Sequence, residues 1–152
     1  MITGPLTLYD TALHRFAAGS LRLPALRLTA LLLNGTYVPD QAGHTVLADI
    51  SPHEVTGGDY TRLQVTGVRV VAAPGAAQFM TDALNWGEPV NLPPVRYMVL
   101  VEGVATALGA ASSLIGVVDL APGGGAVESQ RACFSLTPPA SGWFEITALS
   151  AA

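Results

Sequence analysis

Two imidazoles and two carboxylates fall within one connecting segment of this 152-residue chain: His44, Asp49, His53 and Glu54. Imidazole and carboxylate are good zinc ligands, and a histidine beside an acid is the minimal apparatus of a small hydrolase. The spacing matches no short metal motif. His53 and Glu54 are neighbours on a capped turn, where their side chains diverge from one ion. The simpler expectation is that Asp49 bonds the local backbone while His44 and His53 sit on the surface or at a subunit contact.

The remaining chemical groups are scattered. Glycoside hydrolysis needs two carboxyls at a set separation in a cleft, and Asp82, Glu102, Asp119 and Glu145 are the candidates. All lie on or beside predicted strands, where alternation requires solvent-facing polar residues anyway. Cys133, the single cysteine, lies in Ala132-Cys133-Phe134 and reads as a buried structural thiol, with no G-x-S-x-G elbow elsewhere. The triple glycine Gly123 to Gly125 lacks the Lys-Ser or Lys-Thr of a phosphate loop and reads as a turn. Trp86, Trp143, Tyr60 and Tyr97 could stack on sugar rings if exposed. The two tryptophans sit at strand ends beside Gly87 and Gly142, so a core or interface role is expected. No catalytic, cofactor-binding or metal-binding residue is assigned, and the chain reads as a non-enzyme.

The elements that carry these residues are mostly strands. Apolar positions Leu6, Tyr9, Leu13, Phe16 and Ala17 predict one short helix over 6–18, capped by Thr7 or Asp10 and stopped at Gly19. Strands are expected over 26–33, 60–72 with a bulge at Gly67, 77–86, 95–102, 114–120, 132–136 and 143–149, with a weaker one over 44–50. Ser51 to Glu54 reads as one helical turn with Ser51 as N-cap and Glu54 closing a capping box. Pro89, Pro93 and Pro94 argue against a regular ladder in that stretch. Small residues over 103–113 read as a flexible connection. About eight strands joined by Gly and Pro turns, without alternating helices, predict an all-β fold. The architecture expected is an antiparallel β-sandwich or jelly roll, one domain over 1–152 with residues 1–20 as an N-terminal arm and helix.

Half of the residues are hydrophobic and 12% are charged, about half the usual charged share. So few charges leave apolar area facing water, which another protein usually covers. Every basic residue is arginine and the net charge is −4, so nucleic acid is not expected as a partner. No apolar run approaches about 18 residues and no signal-peptide pattern opens the chain, so neither a membrane nor an export route is expected.

Several segments in order are similar to a group of small structural proteins of tailed bacteriophages, over about the first two-thirds of the chain. They are Leu8-Tyr9-Asp10 with Ala12, the strand into Leu31-Leu32, Tyr37-Val38-Pro39-Asp40, Asp49-Ile50-Ser51 and Glu54-Val55. Gly57-Gly58-Asp59-Tyr60-Thr61, Trp86, Arg96-Tyr97 and Leu114-Ile115-Gly116 complete the set. Arg62-Leu63-Gln64 departs from the group's usual glycine-rich segment. Members serve as head decoration, head fibre or tail components, so the resemblance implies a virion part and transfers no catalytic residue. The expectation is a capsid decoration or cement protein, trimeric, bound to the major capsid protein and made in the host cytoplasm. Its contacts are expected from residues 1–10, 37–60 and 88–94. Two alternatives stand beside it: a head or tail fibre component that binds a receptor or glycan, and a small hydrolase using His44 or His53.

Overall fold

The computed structural model describes residues 1–147. Ten strands and one α-helix are found among them, and all strand pairings are antiparallel. The strands are β1 (Thr7–Leu8), β2 (Leu28–Leu33), β3 (Leu63–Gln64), β4 (Arg69–Ala73), β5 (Ala76–Met80), β6 (Leu84–Val95), β7 (Tyr97–Glu102), β8 (Leu114–Asp119), β9 (Val127–Leu136) and β10 (Phe144–Thr147). A five-stranded sheet runs β1-β8-β7-β2-β3, a three-stranded sheet β10-β5-β4, and β6 pairs with β9. The chain is an all-β, sandwich-like protein.

The five-stranded sheet is covered on both faces, which explains why its central strands are almost wholly apolar. Along β2 the side chains alternate between two cores. Leu28, Ala30 and Leu32 join Phe79, Trp86 and Trp143 on one face. Leu31 and Leu33 join Tyr9, Tyr37 and Ile50 on the other. The second face is covered by residues 37–50, which fold back over the strands from which they depart.

Several sequence expectations need correction. The helix α1 spans Asp10–Ala17, shorter than predicted. Residues 6–9 are extended instead, because Thr7 and Leu8 pair with Val117 and Gly116 while Leu6 and Tyr9 are buried. Neither Thr7 nor Asp10 is the N-cap; Tyr9 holds that position without a side-chain hydrogen bond. Gly19 ends the helix as predicted, at φ +78°. Residues 44–50 form no strand but a bridge at Val46 followed by a 3₁₀ turn over Leu47–Asp49. Ser51–His53 is a second 3₁₀ turn, with Ile50 rather than Ser51 as N-cap, and Glu54 closes no capping box there.

The long strand predicted over 60–72 is two strands in two sheets, β3 and β4. Gly67 between them has φ +68°, and a Cβ there would come within 2.3 Å of the Asp82 carboxylate. The strand predicted over 77–86 likewise divides into β5 and the start of β6. The proline-rich stretch belongs to β6, and its ladder with β9 slips register repeatedly between Asn85 and Val95. The slips let a strand holding Pro89, Pro93 and Pro94 stay paired despite three missing N–H donors. Residues 103–113 are fastened by the N–H groups of Leu47 and Ala48, which donate to Ser112 and Ala110 carbonyls. In the final predicted strand, Phe144–Thr147 is β10; 148–149 lie outside the described residues.

Candidate interaction surface

The titratable residues singled out in the sequence are occupied by their own neighbours. Asp49 accepts the backbone N–H groups of Thr45 at 2.9 Å and Val46 at 3.1 Å, so the backbone role expected of it is present. Those bonds hold its carboxyl below the ordinary carboxylate range. Glu54 accepts two hydrogen bonds from the Arg62 guanidinium, at 3.0 and 2.8 Å, and a third from the Tyr60 hydroxyl. Burial, and then the Glu54 contact, push the Tyr60 hydroxyl far above its usual range.

His44 and His53 flank the Tyr37 ring at centroid distances of 5.4 and 5.5 Å. The Tyr37 hydroxyl lies 3.0 Å from His44 Nδ1 and 2.6 Å from the Tyr9 hydroxyl, forming a polar chain inside the second core. His53 Nδ1 lies 2.9 Å from the Thr36 hydroxyl. No group of three metal-ligating side chains converges among the described residues. The Tyr9-Tyr37-His44 chain is not legible in the sequence, where Tyr9, Tyr37 and His44 each stand out for other reasons and nothing joins Tyr9 to a hydroxyl 28 residues on.

The strand carboxylates are kept apart, three of them each against its own arginine. Asp82 lies 3.2 Å from Arg69, Asp119 3.2 Å from Arg96, and Glu102 2.9 Å from Arg15, while Glu145 is exposed on β10. With Arg62 on Glu54, four of the seven arginines are spent in ion pairs, and Arg22, Arg27 and Arg131 form none among the described residues. Trp143 is fully buried and its Nε1 donates to the Thr81 hydroxyl. Trp86 is 9% exposed and its Nε1 donates to the Thr61 carbonyl. Both are core rings, as expected, and present no open face to a sugar.

Cys133 corrects the sequence reading: it is exposed. β9 belongs to a two-stranded ladder in which Phe134 turns into the core, so its neighbour turns out. The glycine run does form the expected turn, with Gly124 N–H donating to the Ala121 carbonyl and both Gly124 and Gly125 at positive φ.

Three of the seven exposed large apolar residues, Val70, Val71 and Ile146, lie on the three-stranded sheet. Register pairs Val70 with Phe79, Ala72 with Ala77, Phe79 with Phe144 and Ala77 with Ile146. Directly paired residues share a face, so all six lie on one side of the sheet. On the central strand, Phe79 is 1% exposed and stacks on Phe144 with centroids 5.2 Å apart. On the two flanking strands, Val70 beside Phe79 and Ile146 beside Ala77 are 40% and 44% exposed. The face that forms core at Phe79 therefore continues into solvent with no polar residue on it. Its tip is the β4–β5 hairpin, closed by Pro74 and by Gly75 at φ +70°, the pairing a tight turn needs. Ile2 and Val38 are the most exposed large apolar residues elsewhere.

A groove of about 570 Å³ lies on the second face of the five-stranded sheet. Register places Thr7 opposite Val117 and Tyr97 opposite Asp119, which makes these four its floor. Its wall is Asp10 at the start of α1 and the turn from Pro39 to Ala42. Asp10 N–H donates to the Gln41 carbonyl and Gln41 Nε2 to the Leu8 carbonyl, so wall and floor are tied together. No family model, curated protein or solved structure matches the chain.

Proposed function

We propose that this chain is a non-enzymatic structural protein of a tailed-phage virion, a capsid decoration or cement protein bound to the major capsid protein lattice. The observation that carries the docking part is the uninterrupted apolar face of β4, β5 and β10, which runs from the core at Phe79 out to Val70 and Ile146. Exposed apolar area of this kind is stabilised when another protein covers it. The resemblance in the N-terminal two-thirds supplies the virion, and a trimer fits the under-charged composition. Ion pairing within the chain favours a surface that docks by apolar contact over one that docks on polyanions.

A fibre component that binds a receptor is the second reading; with Trp86 and Trp143 in the core, it rests on loops rather than on those rings. Electron cryo-microscopy of the assembled particle tests the choice. Density for the ten-strand domain on the capsid exterior, with the β4–β5 hairpin against the lattice, is the expected result. Density at the tail or on a fibre would move the chain to the second reading, and a particle lacking it would overturn both.

A further inference from the structure

We propose that Asn34 is a site of spontaneous modification, where the fold drives loss of the side-chain amide and leaves an acid at the end of β2. The residue after it is Gly35, exposed, with nothing within 4 Å of where a Cβ would stand. The Gly35 N–H makes no hydrogen bond among the described residues. Its nitrogen is therefore open to bond with a neighbouring carbonyl carbon.

The turn supplies that carbon already activated. Thr36 N–H donates to Asn34 Oδ1 at 3.0 Å, closing a ring that folds the side chain back over the Gly35 nitrogen. An N–H can donate only to the amide oxygen, so this bond fixes which side-chain atom is Oδ1. The Thr36 hydroxyl donates to the same oxygen, and its own oxygen then accepts from His53 Nδ1, 2.9 Å away. Two donors on one carbonyl oxygen, the second reinforced by an imidazole, stabilise the oxyanion that forms when a nucleophile attacks the carbon.

The reaction balances with water alone. The Gly35 nitrogen bonds to Asn34 Cγ, the Cγ–Nδ2 bond breaks, and ammonia leaves with the proton that the Gly35 nitrogen gives up. Solvent water then opens the cyclic imide at either carbonyl. Opening at Cγ gives aspartate, and opening at the main-chain carbonyl gives isoaspartate, whose backbone runs through Cγ and is one carbon longer. Asn34 stands where the chain leaves β2 to cover the second core: its N–H donates to the His53 carbonyl at 2.9 Å, and its carbonyl accepts the Tyr37 N–H at 3.4 Å. Aspartate keeps both Thr36 donors and adds a charge, whereas isoaspartate breaks the spacing that seats Tyr37. The chemistry belongs to the turn and is independent of what the chain docks on.

The other two asparagines are internal controls. Asn85 Oδ1 accepts the Gly87 N–H at 2.9 Å in the same kind of ring, but Trp86 follows it. Asn91 Oδ1 holds the Arg131 N–H, and Leu92 follows it. The test is peptide mapping by mass spectrometry of the folded protein incubated at neutral pH, beside the same chain held unfolded in guanidinium chloride. Conversion is expected at Asn34 with Asn85 and Asn91 intact, and several-fold faster in the folded protein. Gly35→Ala should slow it by about tenfold or more, because a Cβ shields the attacking nitrogen. Thr36→Val should slow it several-fold and Thr36→Ser restore it. His53 acts through the Thr36 hydroxyl as a positioning residue, so His53→Phe should slow conversion in the unaltered chain and have no effect in Thr36→Val. Conversion no faster folded than unfolded, undiminished in Thr36→Val, or equal at Asn85 would overturn the proposal.

Discussion

Tyr37 ties together several side chains of the second core. Its ring meets His44, His53 and Tyr97, and its hydroxyl bridges the Tyr9 hydroxyl and His44 Nδ1. Tyr37→Phe strips two partners at once and strands the hydroxyl of fully buried Tyr9, so it should lower stability by about 1–3 kcal/mol. Tyr9→Phe leaves Tyr37 its histidine and should cost less, with the double variant costing less than the sum; urea unfolding of all three measures this. Burial, then the contact with Tyr37, raises the Tyr9 hydroxyl far above its usual range, and Tyr60 is raised by burial and Glu54. A folded pKa above the unfolded value, about 10 for tyrosine, gives stability that is whole below that pH and fades as pH climbs past it. Stability against pH should fall on the alkaline side, and fall less steeply in Tyr9→Phe. Equal alkaline slopes would remove Tyr9 from the account.

At the scale of elements, the strands legible in the sequence were those with strong apolar or alternating patterns. β2, β7 and β8 lie where the pattern placed them, because burial on both faces leaves the residues little choice. What stayed hidden depends on partners distant in sequence. Leu6 and Tyr9 carry a helical spacing across Thr7 and Leu8, yet pairing with β8 extends these two. The alternation over 60–72 shifts phase at Gly67 and reads as a bulge in one strand, and nothing in it reveals that Asp82 stands where a side chain at Gly67 would go. Cys133 read as buried because its neighbours are apolar, whereas the two-stranded ladder has only one core-facing side. The groove is least legible: its floor and wall are assembled from four separate stretches, and Thr7, Asp10, Pro39, Asp40, Tyr97 and Asp119 stand out in the sequence only for other reasons. Gly67→Ala should destabilise by about 1–3 kcal/mol, since it combines a left-handed backbone with a clash. Gly35→Ala meets nothing within 4 Å and has no left-handed φ, so it should be near neutral. Thermal melts of the pair separate conformational strain from a general intolerance of substitution.

For the whole molecule, two features work in one direction. Arginines are largely committed to internal pairs, and a core sheet face is carried outward without polar interruption. A charge placed on that face at its two exposed flanking positions, by Val70→Glu with Ile146→Glu, keeps Phe79 itself unchanged and should leave the fold standing. The same change would place two carboxylates in an apolar interface, where an unpaired charge costs several kcal/mol. The most direct measurement of the proposed docking is co-sedimentation of purified protein with empty tailed-phage capsids. Saturable retention of the unaltered chain, lost in the double glutamate variant, is the result this account predicts; a chain that stays in the supernatant, or a variant retained equally well, would contradict it.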